Sequence, residues 1–189
     1  MKHPKIKELI HKDFTNFDAI QYEMMNYNAC FHCMGVSSAG MTEEQYVKLT
    51  YTITENLVNV LYNFNPNMTF IYVSGDGTDS TETSKTMWAR VKGKTENLIL
   101  KKGFKDAYAF RPGIILPKRG VKSKTKLYNL LYTLLRPIFP IMKKMKSVTT
   151  SQNIGKAMIG LLENPHHVKI ITGSGVNNLV EKNNAFQKC

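Results

Sequence analysis

The hydrophobic pattern alternates between short continuous apolar runs and longer stretches with an apolar residue at every third or fourth position. Residues 6–10 are a short strand candidate, followed by Asp13-Phe14. Residues 16–26 carry Phe17, Ile20 and Met24 at helical spacing, which predicts a helix. Residues 29–34 form an apolar run ended by Gly35, the pattern of a buried parallel strand. Thr42 opens a long helix. Thr42 and Gln45 have the capping-box spacing, in which each side chain satisfies a free backbone N–H. Tyr46, Leu49, Ile53, Leu57, Val60 and Leu61 mark its expected buried face, and Asn65-Pro66 stops it.

Residues 69–74 are rich in strand formers, and Gly75-Asp76-Gly77 breaks them. A helix is predicted over 84–101, with Gly103 suited to a left-handed C-terminal position. Residues 107–111 read as a strand ended by Pro112-Gly113. A basic, irregular stretch follows at 118–126, then a helix over 125–135 that stops at Pro137. Ser151 is the expected cap of a further helix, with Ile154, Ala157, Met158, Leu161 and Leu162 inward and Asn164-Pro165 as its end. Residues 168–172 form a last strand, and Gly173-Ser174-Gly175 reads as a turn.

Strands separated by helices imply an α/β fold, a Rossmann-like parallel sheet flanked by helices and joined by right-handed crossovers. There is no internal repeat and no linker, so residues 1–189 are expected to form one domain. Residues 117–150 are expected to form a basic, helical insertion on the substrate side. Ligands of such sheets bind outside the C-terminal strand ends. Four segments fall there: Asp13-Phe14, Gly35-Val36-Ser37-Ser38, residues 74–77 and Pro112-Gly113.

Composition narrows the class. The chain is 42% hydrophobic and 10% aromatic, which excludes a disordered polypeptide. Three cysteines and a polar start, Lys2, His3, Pro4 and Lys5, point to a reducing cytoplasmic compartment. The longest apolar stretch, 127–142, is broken by Asn129, Arg136, Pro137 and Pro140, and is shorter than the roughly 20 residues of a spanning helix. A net charge of +12 is either a solvated basic surface or a preference for anionic partners such as a nucleotide cofactor.

Several segments together resemble the short-chain dehydrogenase/reductase superfamily, in its atypical, extended, NAD-dependent epimerase/dehydratase-like branch. The resemblance runs from about Lys5 onward. Asp13-Phe14 is similar to the pair that follows the third strand and flanks the adenine. Residues 30–35 resemble the fourth strand, whose terminal Gly35, followed by Val36, approaches the cofactor. Tyr72-Val73-Ser74 resembles the fifth strand with its active-site serine. Lys92-Gly93 resembles the lysine of the Tyr-x-x-x-Lys helix. Arg111-Pro112-Gly113 is similar to the turn that lines the nicotinamide. The resemblance implies an NAD or NADP cofactor and a small-molecule substrate. It implies that Ser74 orients the substrate oxygen and that Lys92 holds the ribose. Ser37 and Trp88 then face the substrate.

Two departures matter. Trp88 stands four residues before Lys92, where the family pattern has Tyr. An indole N–H donates a hydrogen bond but exchanges no proton near neutral pH. Tyr72, on the strand face of Ser74, is a candidate substitute. The second departure is that no Gly-rich strand–turn–helix of the phosphate-gripping type opens the chain. The expectation is an N-terminally incomplete fold, with the chain a fragment or its start lying roughly 45 to 60 codons upstream. The functional expectation is an NAD(P)-binding oxidoreductase or epimerase-like protein. The alternatives are a non-catalytic NAD(P)-binding sensor or regulator, and a truncated remnant that binds nothing. Cys30-x-x-Cys33 has metal or redox spacing, but a strand turns residues three apart to opposite faces, so no metal site is expected. His166-His167 reads as a solvated pair. The basic stretch 118–126 lacks the interleaved aromatics of a nucleic-acid surface, and residues 127–146 suit a capping helix better than a membrane contact. The sequence leaves the oligomeric state open.

Overall fold

A computed structural model of the chain describes residues 3–117 and 147–186. The expected basic stretch at 118–126 and the helix at 125–135 lie outside these residues, as does most of the insertion expected at 117–150.

Four strands form one parallel sheet in the order β1 (Ala29–His32), β2 (Thr69–Val73), β3 (Asp106–Arg111) and β6 (Ile170–Thr172). Cys30 lies opposite Phe70, Tyr72 opposite Ala109, and Phe110 opposite Ile171. Two short strands that the hydrophobic pattern did not announce, β4 (Ile114–Leu116) and β5 (Val148–Thr150), pair in parallel as a separate small sheet.

Helices cover both faces, as a buried parallel sheet requires. On one face Phe70, Tyr72 and Ala107 pack against Val58 and Leu61 of α2 (Ile53–Phe64) and Ile99 of α3 (Met87–Lys101). On the other, Ile71, Tyr108, Phe110 and Ile171 meet Met158 and Leu161 of α4 (Ser151–Glu163) and Val176 of α5 (Gly173–Phe186). Successive strand residues point to opposite faces, so β2 feeds both cores at once. Fully burying a side chain such as Phe70 or Phe110 stabilises by about 1.5–3 kcal/mol.

The predicted capping box is present. Thr42 Oγ1 accepts from Gln45 N at 3.3 Å, and Gln45 Oε1 accepts from Thr42 N at 3.0 Å, at the start of α1 (Glu43–Val47). A π-helical turn, Lys48–Thr52, joins α1 to α2. Its wider ring adds a residue to the turn and rotates the apolar face. That rotation is why Leu49, expected inside, is 40% exposed while Val58 is wholly buried.

Other expectations are corrected. Residues 6–10 form no strand, and Ile10 is 82% exposed. A strand needs a neighbour for its backbone groups, and among the described residues none flanks this segment. The helix expected over 16–26 is one 3-10 turn, Gln21–Met24. The third long helix begins at Met87, not at Ser84, because Ser84 N is taken by the Asp79 carboxylate at 2.7 Å. Thr150, not Ser151, caps α4 through its hydroxyl, and Leu162 faces outward. Gly173-Ser174-Gly175 opens helix α5 and is no turn. Gly175 N donates to Thr172 Oγ1 at 3.2 Å, a cap that the glycine spacing concealed.

Among the described residues no strand pairs with the outer edge of β1. A cavity of about 540 Å³ lies there between the N-terminal segment, β1 and α2, lined by Ile6, Leu9, Cys30, Phe31, Leu57 and Met68 among others. No helix of the described residues is long and apolar enough to cross a membrane.

Candidate functional site

Parallel pairing brings the C-terminal ends of β1, β2 and β3 to one end of the sheet. At the end of β2, Ser74 N donates to Phe110 O at 2.8 Å and extends the ladder by one bond. The chain then turns through Gly75-Asp76-Gly77. Asp76 N donates to Pro112 O at 3.1 Å, tying this turn to the one after β3. Gly77 has φ +81°, a conformation that side chains rarely adopt, and a Cβ there would lie 3.2 Å from the Trp88 ring. Trp88, in the first turn of α3, therefore packs over bare backbone.

Ser74 and Thr78 are both buried, and their hydroxyl oxygens are 2.9 Å apart. Thr78 Oγ1 donates to Gly75 O at 2.8 Å. Lys92, half-buried on α3, donates from Nζ to Ser74 O at 3.2 Å. Burial lowers its pKa, against an opposing effect from the Glu96 charge. Glu96 does not pair with it. That carboxylate is wholly buried and is held by Arg111 of β3, with Nε at 3.0 and 3.2 Å and Nη2 at 2.6 Å. Among the described residues no carboxylate lies within ion-pair distance of Lys92.

The segment from Asp79 to Ser84 crosses α3. The Asp79 carboxylate accepts from Thr81 N, Thr81 Oγ1, Thr83 N and Ser84 N, which holds its pKa at about 2, led by the Thr81 hydroxyl. Asp79 N donates to Ala89 O at 3.1 Å. The crossing is so close that a Cβ at Gly93 would sit 1.7 Å from Asp79 O. Asp79, Thr78 and Glu96 were missed in the sequence, as were the close crossing at Gly93 and the pairing of Arg111 with Glu96. The Asp-x-Thr-x-Thr-Ser spacing of an Asx-type turn was the available signal for Asp79.

The structure brings Ser74, Lys92, Trp88, Pro112 and Gly113 into one neighbourhood. Pro112 is buried, and a Cβ at Gly113 would lie 3.6 Å from Asp76 Oδ2. Gly35, Val36 and Ser37 follow β1 at the same end, exposed, with open space around Gly35. Asp13 and Phe14 stand apart from this group in their contacts. Asp13 accepts from Thr15 N and Oγ1, hydrogen bonds that lower its pKa, the hydroxyl most. Phe14 packs on His11 and Phe17. Tyr72 is a core residue stacked on His32 at 5.4 Å, and burial raises its pKa. Cys30 is likewise pushed up to about 12 by burial, which leaves a protonated thiol.

No family model matches the sequence, and no curated protein matches it. Solved structures do. The chain is similar to RMD from Pseudomonas aeruginosa complexed with NADPH, with TM-score 0.58 and 16% identity over 82% of this chain and 62% of that one. It is similar to ADP-L-glycero-D-manno-heptose-6-epimerase of Helicobacter pylori, with TM-score 0.61 and 16% identity over 92% and 64%. It is also similar to gox2253, with TM-score 0.56 and 13% identity over 80% and 52%. The chain thus spans between about half and two thirds of the length of these proteins. The chain has the fold of these solved structures, a Rossmann-like parallel sheet flanked by helices.

Proposed function

We propose that the C-terminal ends of β1, β2 and β3 hold the nicotinamide–ribose end of NAD or NADP, in a protein of the oxidoreductase or epimerase-like kind. Lys92 carries this reading. It is a half-buried ammonium steered by Ser74 O, with no carboxylate partner among the described residues. An ammonium has three donors, and one acceptor leaves two for a ligand. A partly desolvated, unpaired charge favours a polar or anionic ligand that restores its solvation. The open space around Gly35 leaves room for a close approach.

In this reading Lys92 holds ribose hydroxyls, and Gly35, Val36, Pro112 and Gly113 line the ring. Ser74, Ser37 and Trp88 face a small-molecule substrate, and Asp13-Phe14 flanks the adenine. The bound dinucleotide supplies hydride transfer. Trp88 favours a second reading, a non-catalytic NAD(P)-binding sensor, because residue 88 moves no proton. The edge of β1 that is unpaired among the described residues supports a further element of the proposal: one more strand completes the sheet there, and binding without that strand is weak.

The test is a titration of NADPH and NADH against this chain and against an upstream-extended version, followed through the emission of Trp88, the one tryptophan. Saturable quenching that weakens about tenfold in Lys92→Met is expected. Quenching in neither version overturns the cofactor reading. Binding without turnover of any carbonyl or sugar-nucleotide substrate selects the sensor.

A further inference from the structure

Lys92 and Glu96 stand four residues apart on α3, so their side chains share one face of the helix and lie within reach of each other. An ammonium and a carboxylate so placed attract, and burial strengthens the attraction. They do not pair here. Both oxygens of Glu96 are taken by Arg111 at the end of β3, through Nε at 3.0 and 3.2 Å and Nη2 at 2.6 Å. Arg111 Nη2 also donates to Ser80 Oγ, on the strap that crosses α3. A planar guanidinium meets a carboxylate with its whole fork, which a single ammonium cannot match. The sheet register brings the guanidinium to this spot. Val73 lies opposite Phe110, and Ser74 N donates to Phe110 O, so Arg111 stands beside Ser74 on the face turned to α3. Lys92 is left with a neutral acceptor, Ser74 O at 3.2 Å, which steers its Nζ without cancelling its charge.

We propose that Arg111 is a positioning residue: by holding both oxygens of Glu96, it keeps Lys92 free of a counter-ion and ready for a polar or anionic ligand. The proposal rests on the reading of Lys92 as a ligand group. Two cations and one carboxylate leave one positive charge over, and the pairing decides where it lies. With Glu96 on Lys92, the surplus would rest on Arg111, whose side chain is only 17% exposed. With Glu96 on Arg111, it rests on Lys92, which keeps two unused donors at the end of the sheet. The bond to Ser80 fixes the guanidinium in the second arrangement. Burial lowers the pKa of Lys92 while the Glu96 charge opposes the shift, so the two groups sense each other without touching.

The test uses the full chain and three variants. Nitrogen-15 NMR of the lysine side chains follows the deprotonation of Lys92 with no ligand present. Arg111→Lys keeps the cation and loses the fork, which frees an oxygen of Glu96 for Lys92. The titration midpoint of Lys92 should therefore rise above that of the parent, and deletion of a cation cannot explain the rise. Arg111→Met should raise it further. Arg111→Met/Glu96→Gln removes the pair as a unit and should return the midpoint to the parent value or below. NADPH titrated through Trp88 emission should follow the same order. Binding should weaken about tenfold in Arg111→Met, as in Lys92→Met, and recover in the double variant. If Arg111→Met does not fold, Arg111→Lys and the double variant carry the comparison. A Lys92 midpoint unmoved in Arg111→Lys, or a double variant that binds as weakly as the single ones, overturns the proposal, and Arg111 then serves the core alone. Failure of the cofactor reading is seen separately: NADPH leaves the emission of Trp88 unchanged in every variant while the Lys92 midpoints keep their pattern.

Discussion

His32 lies on β1 with its ring stacked on Tyr72 and its Nε2 3.0 Å from Thr54 Oγ1. Thr54 gives its own hydrogen to Thr50 O at 2.6 Å, so His32 is the donor and is the neutral Nε2–H tautomer. Burial lowers its pKa to about 4 from an ordinary 6.5. The sign follows. Above pH 6.5 both folded and unfolded chains hold the ring neutral, and the stability is fully present. Below it the unfolded state takes up a proton first, so stability falls and goes on falling until about pH 4. Urea unfolding should lose about 3 kcal/mol between these limits, and His32→Gln should flatten that slope. A slope unchanged in the variant would refute the assignment. Breaking the buried Arg111–Glu96 pair is a second case. Glu96→Ala leaves a guanidinium facing an empty pocket and should cost about 3–5 kcal/mol in the same measurement. That Ser74 ends a strand and that Trp88 and Lys92 share the following helix was legible in the sequence, because Gly punctuation and helical periodicity are local patterns. Glu96 and His32 were not, because their partners Arg111 and Thr54 belong to other elements and only packing brings them near.

At the scale of elements, the onset of α1 was readable to the residue, since the capping box is a local exchange between Thr42 and Gln45. Thr42→Ala should lower the thermal midpoint by the equivalent of about 1 kcal/mol. The π turn after it was invisible, and it turned Leu49 out to solvent. The start of α3 was misread for a similar reason: Asp79 draws the amides of Thr81, Thr83 and Ser84 into a turn before the helix can form. The strap that results depends on one missing methyl group. Gly93→Ala would push a Cβ into the Asp79 carbonyl, a backbone atom that cannot swing aside. It should destabilise by about 2–3 kcal/mol in urea, even though alanine is the better helix former. A Gly93→Ala variant as stable as the parent would mean that the strap does not cross α3 this closely.

Over the whole molecule, the order of strands and helices was legible because periodicity and Gly/Pro punctuation are local. Among the described residues one edge of β1 is unpaired. Hydrogen exchange should report it: amides of β2 and β3, held on both sides, should exchange at least about tenfold more slowly than those of β1. Equal protection in all three would mean that the edge is covered. The parallel pairing has a further consequence, for the time the chain takes to fold. No pair of neighbouring strands in the main sheet is joined by a hairpin. Ala29 must find Thr69, Thr69 must find Asp106, and Ala109 must find Ile170, each across a helix or more. Loop closure has to precede every rung of the ladder. During that interval the apolar surface around Phe31 and Ile10 is open to neighbouring molecules. The yield of refolded protein should therefore fall steeply with concentration, well before the folded state itself becomes unstable.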